Sequence, residues 1–353
     1  MILPETYVAA LALLILSMTC WGSWANTQKL AGKWRFELFY FDYAFGVLAM
    51  AAILAFTFGS MGDGLSVLDN LSITGKRNIF YGFAAGVIFN LANMLLVAAI
   101  AVAGLAVAFP VGIGLAMVIG VVWNYALNPQ GNVYMLFGGM TLVLAAIVLD
   151  ALAYKAHARI RAAAAPAPPA GVSIHQRGKQ RAAKPSGLKG ILLSVFAGLL
   201  MGSFYPLVEM SKQPEMLGLG PYSVGFVFAI AVFLSTFVFN LFFMNLPVEG
   251  DPVPFAAYFK GTVRQHLLGI VGGCIWCVGT ISNFVASSAP ESVNVGPAVS
   301  YALGQGATMI SALWGLLVWK EFAGADGKVR GLIGAMLVLF LAGLATISLA
   351  PKF

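Results

Sequence analysis

Polar side chains recur at helical spacing inside long apolar stretches of this 353-residue chain. Asn90 and Asn93 are three residues apart, and Trp276, Thr280 and Asn283 follow one another at spacings of four and three. Residues at such spacings share one face of a helix. Carboxamides offer donors and acceptors without charge, and an indole can stack on a sugar face or a flat heterocycle. The two stripes indicate recognition of a small neutral polar molecule; hydrogen bonding between helices is the structural alternative.

Two further apolar stretches carry hydroxyl, carboxamide and aromatic side chains that could bind the same kind of molecule. One group lies near the end of the first stretch, and the other follows one stripe of the ninth. Serine, asparagine and glutamine can hydrogen-bond a substrate hydroxyl or amide. Anchoring at the membrane interface and close packing of small residues explain the tryptophans equally well. The candidate substrate-binding residues are Trp21, Ser23, Trp24, Asn26, Asn90, Asn93, Trp276, Thr280, Asn283, Tyr301 and Gln305.

Carboxylates are rare inside the apolar stretches, and two of them could exchange a proton during transport. Asp42 lies near the start of the second stretch and Glu209 near the end of the sixth. A carboxyl group that faces a dry cavity is easier to protonate than one in water. The alternative for Glu209 is an ion pair with Lys212, and for Asp42 an ion pair with Lys33 or Arg35. Because no carboxylate lies at mid-depth in the membrane, the alternative of a facilitator without proton coupling remains.

The sequence offers no set of residues with the spacing of a catalytic or metal site. Cys274 and Cys277 form a C-x-x-C, but they lie inside an apolar stretch without histidine partners, which favours small packing residues. The three histidines lie apart, at His157, His175 and His266. We therefore expect a protein that is not an enzyme and that holds no metal and no cofactor.

The composition indicates that these residues are positioned by membrane helices. Hydrophobic residues make up 60% of the chain and charged residues 9%, whereas an average soluble domain carries about 25% charged residues. This balance excludes a soluble enzyme, a nucleic-acid binder and a disordered chain. A membrane helix needs about 20 apolar residues, and none of the runs alternates as a membrane barrel strand would. Ten runs qualify as spans 1 to 10, at 7–27, 40–61, 80–102, 105–127, 132–153, 189–209, 222–246, 267–288, 296–319 and 329–349.

The predicted fold is therefore an all-α membrane protein in which a basic, Ala- and Pro-rich linker, 154–188, joins two sets of five spans, 1–153 and 189–353. The linker and the loops on its side of the membrane hold most of the 20 lysines and arginines. The positive-inside rule places the linker in the cytoplasm and both termini outside. We expect a bacterial-type cytoplasmic (inner) membrane. Lys76 and Arg77 lie on the opposite side, against this trend.

Five spans per half make the halves enter the membrane from opposite sides, which is an inverted repeat if the halves are related. Three short matches occur in the same order in both halves. Glycine, proline and aromatic residues are common in membrane helices, so chance is the alternative. The matches are 22–24 with 202–204, 86–89 with 273–276, and Pro110 with Pro297, each proline opening a helix.

This architecture resembles the drug/metabolite transporter superfamily, and local motifs point to one branch of it. Residues 20–26 (CWGSWAN) and 39–43 (FYFDY) resemble the opening of the ureide permeases of plants and their bacterial relatives. They also resemble the glucose/ribose porter and rhamnose–proton symporter branch. Residues 272–276 (GGCIW), with Asn283, and 313–321 (LWGLLVWKE) are similar to spans 8 and 9 of that branch. The likeness covers nearly the whole chain.

The resemblance implies a secondary active transporter that works by alternating access. The expected activity is proton-coupled uptake of a small neutral polar metabolite, with Na⁺ as the alternative coupling ion. The metabolite is expected to be a monosaccharide or a ureide or nucleobase-like compound. The expected partners are this substrate, H⁺ and the lipid bilayer, with no nucleic acid, and the protein is a monomer or a homodimer. Two alternatives are an exporter of metabolites or drugs from the same superfamily and a membrane protein without transport activity.

Overall fold

A computed structural model describes residues 1–62, 64–164, 187–213, 217–247, 251–290, 292–293 and 295–352. All regular structure within these ranges is helical. Ten helical segments are long and apolar enough to cross a membrane, and each overlaps one of the ten predicted spans. The prediction of an all-helical protein with ten candidate membrane spans is confirmed.

Span 1 consists of Tyr7–Ser23 and Ala25–Leu30, and span 9 consists of Pro297–Gly304, Ala307–Leu313 and the π-helical turn Trp314–Val318. The other spans are single helices. Spans 2 to 5 are Phe36–Phe56, Lys76–Ala103, Leu105–Leu127 and Val133–Ala164. Spans 6, 7, 8 and 10 are Gly187–Lys212, Pro221–Asn245, Val263–Ser287 and Gly327–Leu349. The short elements are Val67–Ile73, Phe255–Lys260 and Ala350–Lys352.

Several spans begin at residues whose side chains satisfy the free N–H groups of the first helical turn. The Thr6 hydroxyl accepts from the Ala9 amide, and Asp326 caps the helix of span 10 in the same way. Thr262 and Gln265 form a reciprocal capping box at the start of span 8. These caps fix where the chain enters each helix.

Two helix boundaries differ from those that the sequence predicts. The helix of span 5 continues beyond residue 153 to Ala164, which places His157 on a helix. The rest of the predicted linker from residue 165 to residue 186, including His175, lies outside the described ranges. Pro297 opens its helix as predicted, but Pro110 lies inside the helix of span 4, so the prediction that it begins the helix is wrong. The helix begins at Leu105, so Pro110 lies in its second turn, where the missing N–H removes one backbone hydrogen bond.

The spans pack in reciprocal pairs. Span 3 packs along span 6 and span 1 along span 8; span 4 contacts span 6 and span 1 contacts span 9; span 2 contacts span 8 and span 3 contacts span 7. Glycines allow the closest approaches: an added Cβ would collide with the Tyr43 carbonyl oxygen at Gly273 and with the Phe228 carbonyl oxygen at Gly86. Small residues at such crossings let backbones touch.

The two ends of the bundle are held by different contacts. At one end, which we call the terminal end, Ile2 bonds to Phe58 and Asn132 to Ala350 through their backbones. At the other end, the linker end, Gln265 donates to the Ala31 carbonyl oxygen. The polar groups of interest lie between these ends.

Candidate functional site

Five aromatic rings from five different spans meet in the interior and form what we call the central aromatic cluster. Trp276 is 5% exposed and lies midway along span 8. Its ring lies 4.6 Å from that of Phe89, 6.0 Å from Phe228, 6.4 Å from Trp21 and 6.3 Å from Tyr43, measured between centroids. The first three neighbours are stacked within 29° of its plane. In this conformation the ring faces pack on one another, and a flat ligand could use them by inserting into the stack.

A fully buried carboxamide, Asn283, lies two helical turns beyond Trp276 toward the terminal end. Its Oδ1 accepts from the Tyr205 hydroxyl at 2.6 Å and from Ser300 at 3.1 Å. Its Nδ2 donates to the Ser300 carbonyl oxygen at 3.2 Å and to the Ser17 hydroxyl at 3.3 Å. The side chain therefore ties span 8 to spans 6, 9 and 1.

Trp21 and Thr280 connect the central aromatic cluster to Asn283. The Trp21 indole N–H donates to the Thr280 hydroxyl at 2.9 Å, and this hydroxyl donates to the Trp276 carbonyl oxygen. Gly304 leaves the space that both groups use, since a Cβ there would lie 2.6 Å from the Trp21 ring and 3.2 Å from the Asn283 amide nitrogen. Trp21, Trp276, Thr280 and Asn283 are thus brought together.

Asn90 and Asn93 form a separate polar cluster with spans 2 and 7. The Tyr40 hydroxyl donates to Asn90 Oδ1 and accepts from Asn93 Nδ2, both at 2.9 Å. Asn90 Nδ2 donates to Ser235 at 2.8 Å and to Thr236 at 3.1 Å. The two asparagines share a face as the spacing predicts, but among the described residues no hydrogen bond joins them to Asn283.

The remaining predicted residues of span 1 turn toward span 9 or span 2. Trp319 donates to Asn26 Oδ1 at 2.6 Å, and Trp314 donates to the Ser23 hydroxyl at 2.8 Å. Trp24 packs on Tyr43 with ring centroids 4.8 Å apart. These three residues are therefore not part of the Asn283 cluster.

Tyr301 and Gln305 lie where span 9 is interrupted. The Tyr301 hydroxyl donates to the Ala116 carbonyl oxygen of span 4 at 3.2 Å, and its ring is fully buried. Gln305 is half-buried at the end of the first helix of span 9. The helix tightens there, since Gln305 and Gly306 bond three residues back, to Ala302 and Leu303. Interrupted membrane helices occur where backbone groups line a cavity.

A partly open cavity of about 640 Å³ lies at the linker end between spans 1, 5 and 9. We call it the vestibule. Gly22, Asn26 and Lys29 line it from span 1. The other polar or charged lining residues are Tyr154, His157, Arg161, Ser311, Trp319 and Glu321.

An ion pair crosses the vestibule from span 1 to the segment after span 9. Lys29 Nζ lies 2.5 Å from Glu321 Oε1, and the Tyr154 hydroxyl donates to Glu321 Oε2 at 2.7 Å. The ammonium also lies 4.4 Å from the centre of the Trp319 ring. Burial alone would raise the pKa of Glu321, but the hydrogen bonds from Lys29 and Tyr154 and the charge of Lys29 hold it below its ordinary value.

Asp42 is held by two aromatic partners, Tyr258 and His266, at the linker end of span 2. It is 5% exposed; the Tyr258 hydroxyl donates to its Oδ1 at 2.6 Å, and His266 Nδ1 lies 2.8 Å from its Oδ2. Burial, the hydrogen bond to Asp42 and the charge of Asp42 raise the pKa of Tyr258. The suggestion that Arg35 or Lys33 pairs with Asp42 is wrong, because Glu37 binds the Arg35 guanidinium at 2.6 Å.

Glu209 forms the ion pair that the sequence suggests as its alternative role. Lys212 Nζ lies 2.6 Å from Glu209 Oε1, and the Ser287 hydroxyl donates to the same oxygen at 3.2 Å. Lys212 also donates to Ser287 and Ser288. The carboxylate is buried but fully partnered.

Sequence reasoning missed Tyr43, whose hydroxyl is buried beside the central aromatic cluster. Its ring is fully buried, packs on Tyr40 at 5.0 Å and lies near Trp24 and Trp276. Within the described ranges, its hydroxyl has no hydrogen-bond partner. The only signal was its place in the FYFDY motif at 39–43. A buried hydroxyl without a partner is costly, so it marks a place where a ligand could bond.

The described residues contain no group of three or more His, Cys, Asp or Glu side chains that could hold a metal ion. Cys274 and Cys277 are free thiols. The hydrogen-bonding groups around the central aromatic cluster and Asn283 are amides, hydroxyls and indoles, and they suit binding rather than bond cleavage.

Comparison with known sequences agrees with this arrangement of apolar spans around neutral polar groups. The model of the family described as Ureide permease matches residues 39–167 and 170–350. The chain belongs to the ureide permease family. Permeases carry solutes across membranes, so the protein is an integral membrane transporter and not an enzyme.

Members of the family from plants resemble the chain along most of its length. It is 25% identical to Ureide permease 2 and 24% identical to Ureide permease 1, both from Arabidopsis thaliana, with 98% of each chain covered. It is 23% identical to Probable ureide permease A3 from Vigna unguiculata over 81% of its own length and 90% of that protein.

Proposed function

We propose that the protein is a secondary active transporter that takes up a ureide or nucleobase-like compound together with a proton. The observation that carries this proposal is the central aromatic cluster, in which Trp276 stacks on Phe89 and Phe228 beside the unpartnered Tyr43 hydroxyl. Ureides combine a flat skeleton with several amide N–H and C=O groups. Flat rings and neutral hydrogen-bonding groups suit such a molecule better than an ion.

A monosaccharide is the second candidate substrate. Tryptophan faces also bind sugars, and the resemblance of residues 20–26 and 272–276 extends to sugar porters. A pyranose presents hydroxyls around its whole edge and would need several free partners. The asparagines near the cluster, Asn90 and Asn283, already have theirs, and this supports the ureide over the sugar.

Alternating access between two inverted five-span halves is the proposed mechanism. The packing supports it, because each contact has a counterpart when a span of one half is exchanged for the corresponding span of the other. The contact of spans 3 and 6 corresponds to that of spans 8 and 1, and the contact of spans 4 and 6 corresponds to that of spans 9 and 1. The close contacts follow the same exchange. A Cβ at Gly22 would meet Ala307 and Ile310, and a Cβ at Gly202 would meet Ala116 and Ile119.

We further propose that the linker end faces the cytoplasm of a bacterial-type cell and that both termini lie outside. The surplus of lysine and arginine in the linker and in the loops on its side supports this orientation. The vestibule then opens toward the cytoplasm. In this orientation, we propose that the protein is in a conformation whose pathway is open at its cytoplasmic end.

Asp42 is the better of the two candidates for proton coupling. Its partners are a phenol and an imidazole, whereas Glu209 is neutralised by the Lys212 ammonium at 2.6 Å. A carboxylate already paired with a lysine binds a proton less readily. The proton would pass between Asp42 and the linker-end surface through His266.

The proposal is tested with the purified full-length protein in proteoliposomes. Radiolabelled allantoin, a ureide, should accumulate when the outside is acidic and should equilibrate without concentration when a protonophore is added. Radiolabelled glucose and rhamnose are the competing substrates. Sugar accumulation without ureide entry would assign the second candidate, and ureide extrusion driven by the opposite gradient would make the protein an exporter. Entry of none of these compounds under proton or sodium gradients would refute the proposal.

A further inference from the structure

The vestibule contains a buried imidazole that neither the proposed substrate site nor the proposed proton pathway uses. His157 is 5% exposed and lines the vestibule from span 5. Both of its ring nitrogens lack a hydrogen-bond partner among the described residues. Its only described contact of note is with the Phe322 ring, 5.4 Å away between centroids. Buried polar groups are almost always bonded, so two nitrogens without a described partner beside a cavity mark a place where a ligand could bond.

The vestibule also carries an unbalanced positive charge. Lys29 and Glu321 neutralise each other across it. Arg161 lies one helical turn after His157 and lines the same cavity, and in the part of the chain that the structure describes it has no acidic partner. Among the residues that line the vestibule, Lys29 and Arg161 against Glu321 leave one positive charge facing the space, and the buried Asp150 outside this lining interacts electrostatically with Glu321 and Tyr154. A ligand with a single negative charge would balance the positive charge of the lining.

The size and the remaining walls of the vestibule fit a small organic molecule. Its volume of about 640 Å³ falls within the range of roughly 300–1,000 Å³ that is usual for ligand sites. Tyr154 and Trp319 supply aromatic walls, and Asn26 and Ser311 supply neutral polar groups. Since polar residues from three spans enclose it, the cavity is a poor match for the acyl chains of a lipid.

We propose that the vestibule is a second binding site, separate from the central aromatic cluster, for a small planar organic anion with one carboxylate. The carboxylate receives the Arg161 guanidinium, whose paired N–H donors match its two oxygens. His157 donates one ring N–H to the same group or to a neighbouring acceptor. The body of the ligand lies along Tyr154 and Trp319. The occupant joins span 5 to spans 1 and 9 at the linker end.

The test uses benzoate as the probe and the purified full-length protein in a neutral detergent. Benzoate should raise the thermal unfolding temperature in a saturable way, and benzamide, its neutral analogue, should not. Arg161→Gln should weaken benzoate binding about tenfold, the loss of one charge-assisted bidentate contact. Arg159→Gln is the matched control, because Arg159 is exposed on the same helix and does not line the vestibule.

His157→Asn supplies a second, independent measurement. This variant should bind benzoate more weakly than the wild type. Its unfolding temperature without benzoate should change no more than that of Arg161→Gln. Equal benzoate binding by the Arg161→Gln and Arg159→Gln variants would overturn the proposal. So would stabilisation by phosphatidylglycerol that benzoate neither reproduces nor displaces, since this would make the vestibule a lipid site. Neither result depends on transport, so failure here is distinguishable from failure of the proposed function.

Discussion

The indole of Trp276 lies on the phenyl ring of Phe89, with centroids 4.6 Å apart and planes inclined by 29°. Trp276 belongs to span 8 and Phe89 to span 3, so the contact joins the two halves of the chain midway along both helices. In this conformation the stack fills the space that a flat substrate would need. A substrate that binds at this cluster, as we propose, must therefore insert between the rings or take the place of one of them.

Replacing Trp276 by phenylalanine tests this relationship. Trp276→Phe keeps an aromatic ring but shortens the stacking surface, and stacking is worth about 1 kcal/mol. We expect ureide uptake at low substrate concentration to fall by up to about fivefold, with the protein still produced and monodisperse. Trp123→Phe, at an exposed position, is the control and should transport normally. Equal uptake by both variants would remove Trp276 from the substrate pathway.

The Tyr43 and Tyr205 hydroxyls differ in their partners, and this predicts that the same substitution by phenylalanine changes stability differently at the two positions. Tyr43→Phe removes a buried hydroxyl without a described partner, so stability should stay level or rise by up to about 1 kcal/mol while uptake falls. Tyr205→Phe removes the 2.6 Å bond to Asn283 and should cost about 1 kcal/mol. Chemical denaturation and uptake assays, run in parallel on both variants, measure the two quantities. Normal uptake by Tyr43→Phe would show that the substrate does not use this hydroxyl.

Proton coupling should depend on Asp42 and not on Glu209. Asp42→Asn cannot bind a proton, so uptake should lose its response to an imposed pH gradient while exchange of labelled for unlabelled substrate continues. Glu209→Gln should keep the response, although it leaves the Lys212 charge unpaired and costs about 3 kcal/mol. If that variant fails to fold, the double substitution Glu209→Gln with Lys212→Met restores the charge balance. A gradient response that survives in Asp42→Asn and disappears with Glu209→Gln would reverse the assignment.

The Lys29–Glu321 pair predicts how stability changes with pH. The folded protein holds the pKa of Glu321 below its unfolded value, so this group stabilises the fold above the unfolded pKa, about 4.3. The contribution is lost as the pH falls through the folded pKa. Because the pair is partly exposed, we expect a difference of about 1 kcal/mol or less between wild type and Glu321→Gln at pH 7, and a difference that shrinks as the pH falls below the unfolded pKa.

Unfolding curves of both proteins at a series of pH values measure this loss. Glu5→Gln, a change at an exposed carboxylate, is the control and should follow the wild type. A difference between wild type and Glu321→Gln that grows on acidification would contradict the depressed pKa.

The sequence by itself determined the ten spans and the face that each polar residue occupies. Apolar run length follows directly from bilayer thickness, and residue spacing follows from the helical repeat. The shared stripe of Asn90 and Asn93 was therefore predictable, as was the Glu209–Lys212 pair, whose members are three residues apart on one helix. The composition also established that the chain is a membrane protein.

Only the tertiary structure decided which helix each face meets. Asn90 bonds to Tyr40 and Asn283 to Tyr205, so the two predicted stripes belong to separate clusters. Lys29 pairs with Glu321, 292 residues away. The reason is physical: helical periodicity orients a side chain relative to its own axis, but its partner depends on how glycines and broken helices let distant spans approach. That packing buried His157, which the sequence had assigned to a basic linker.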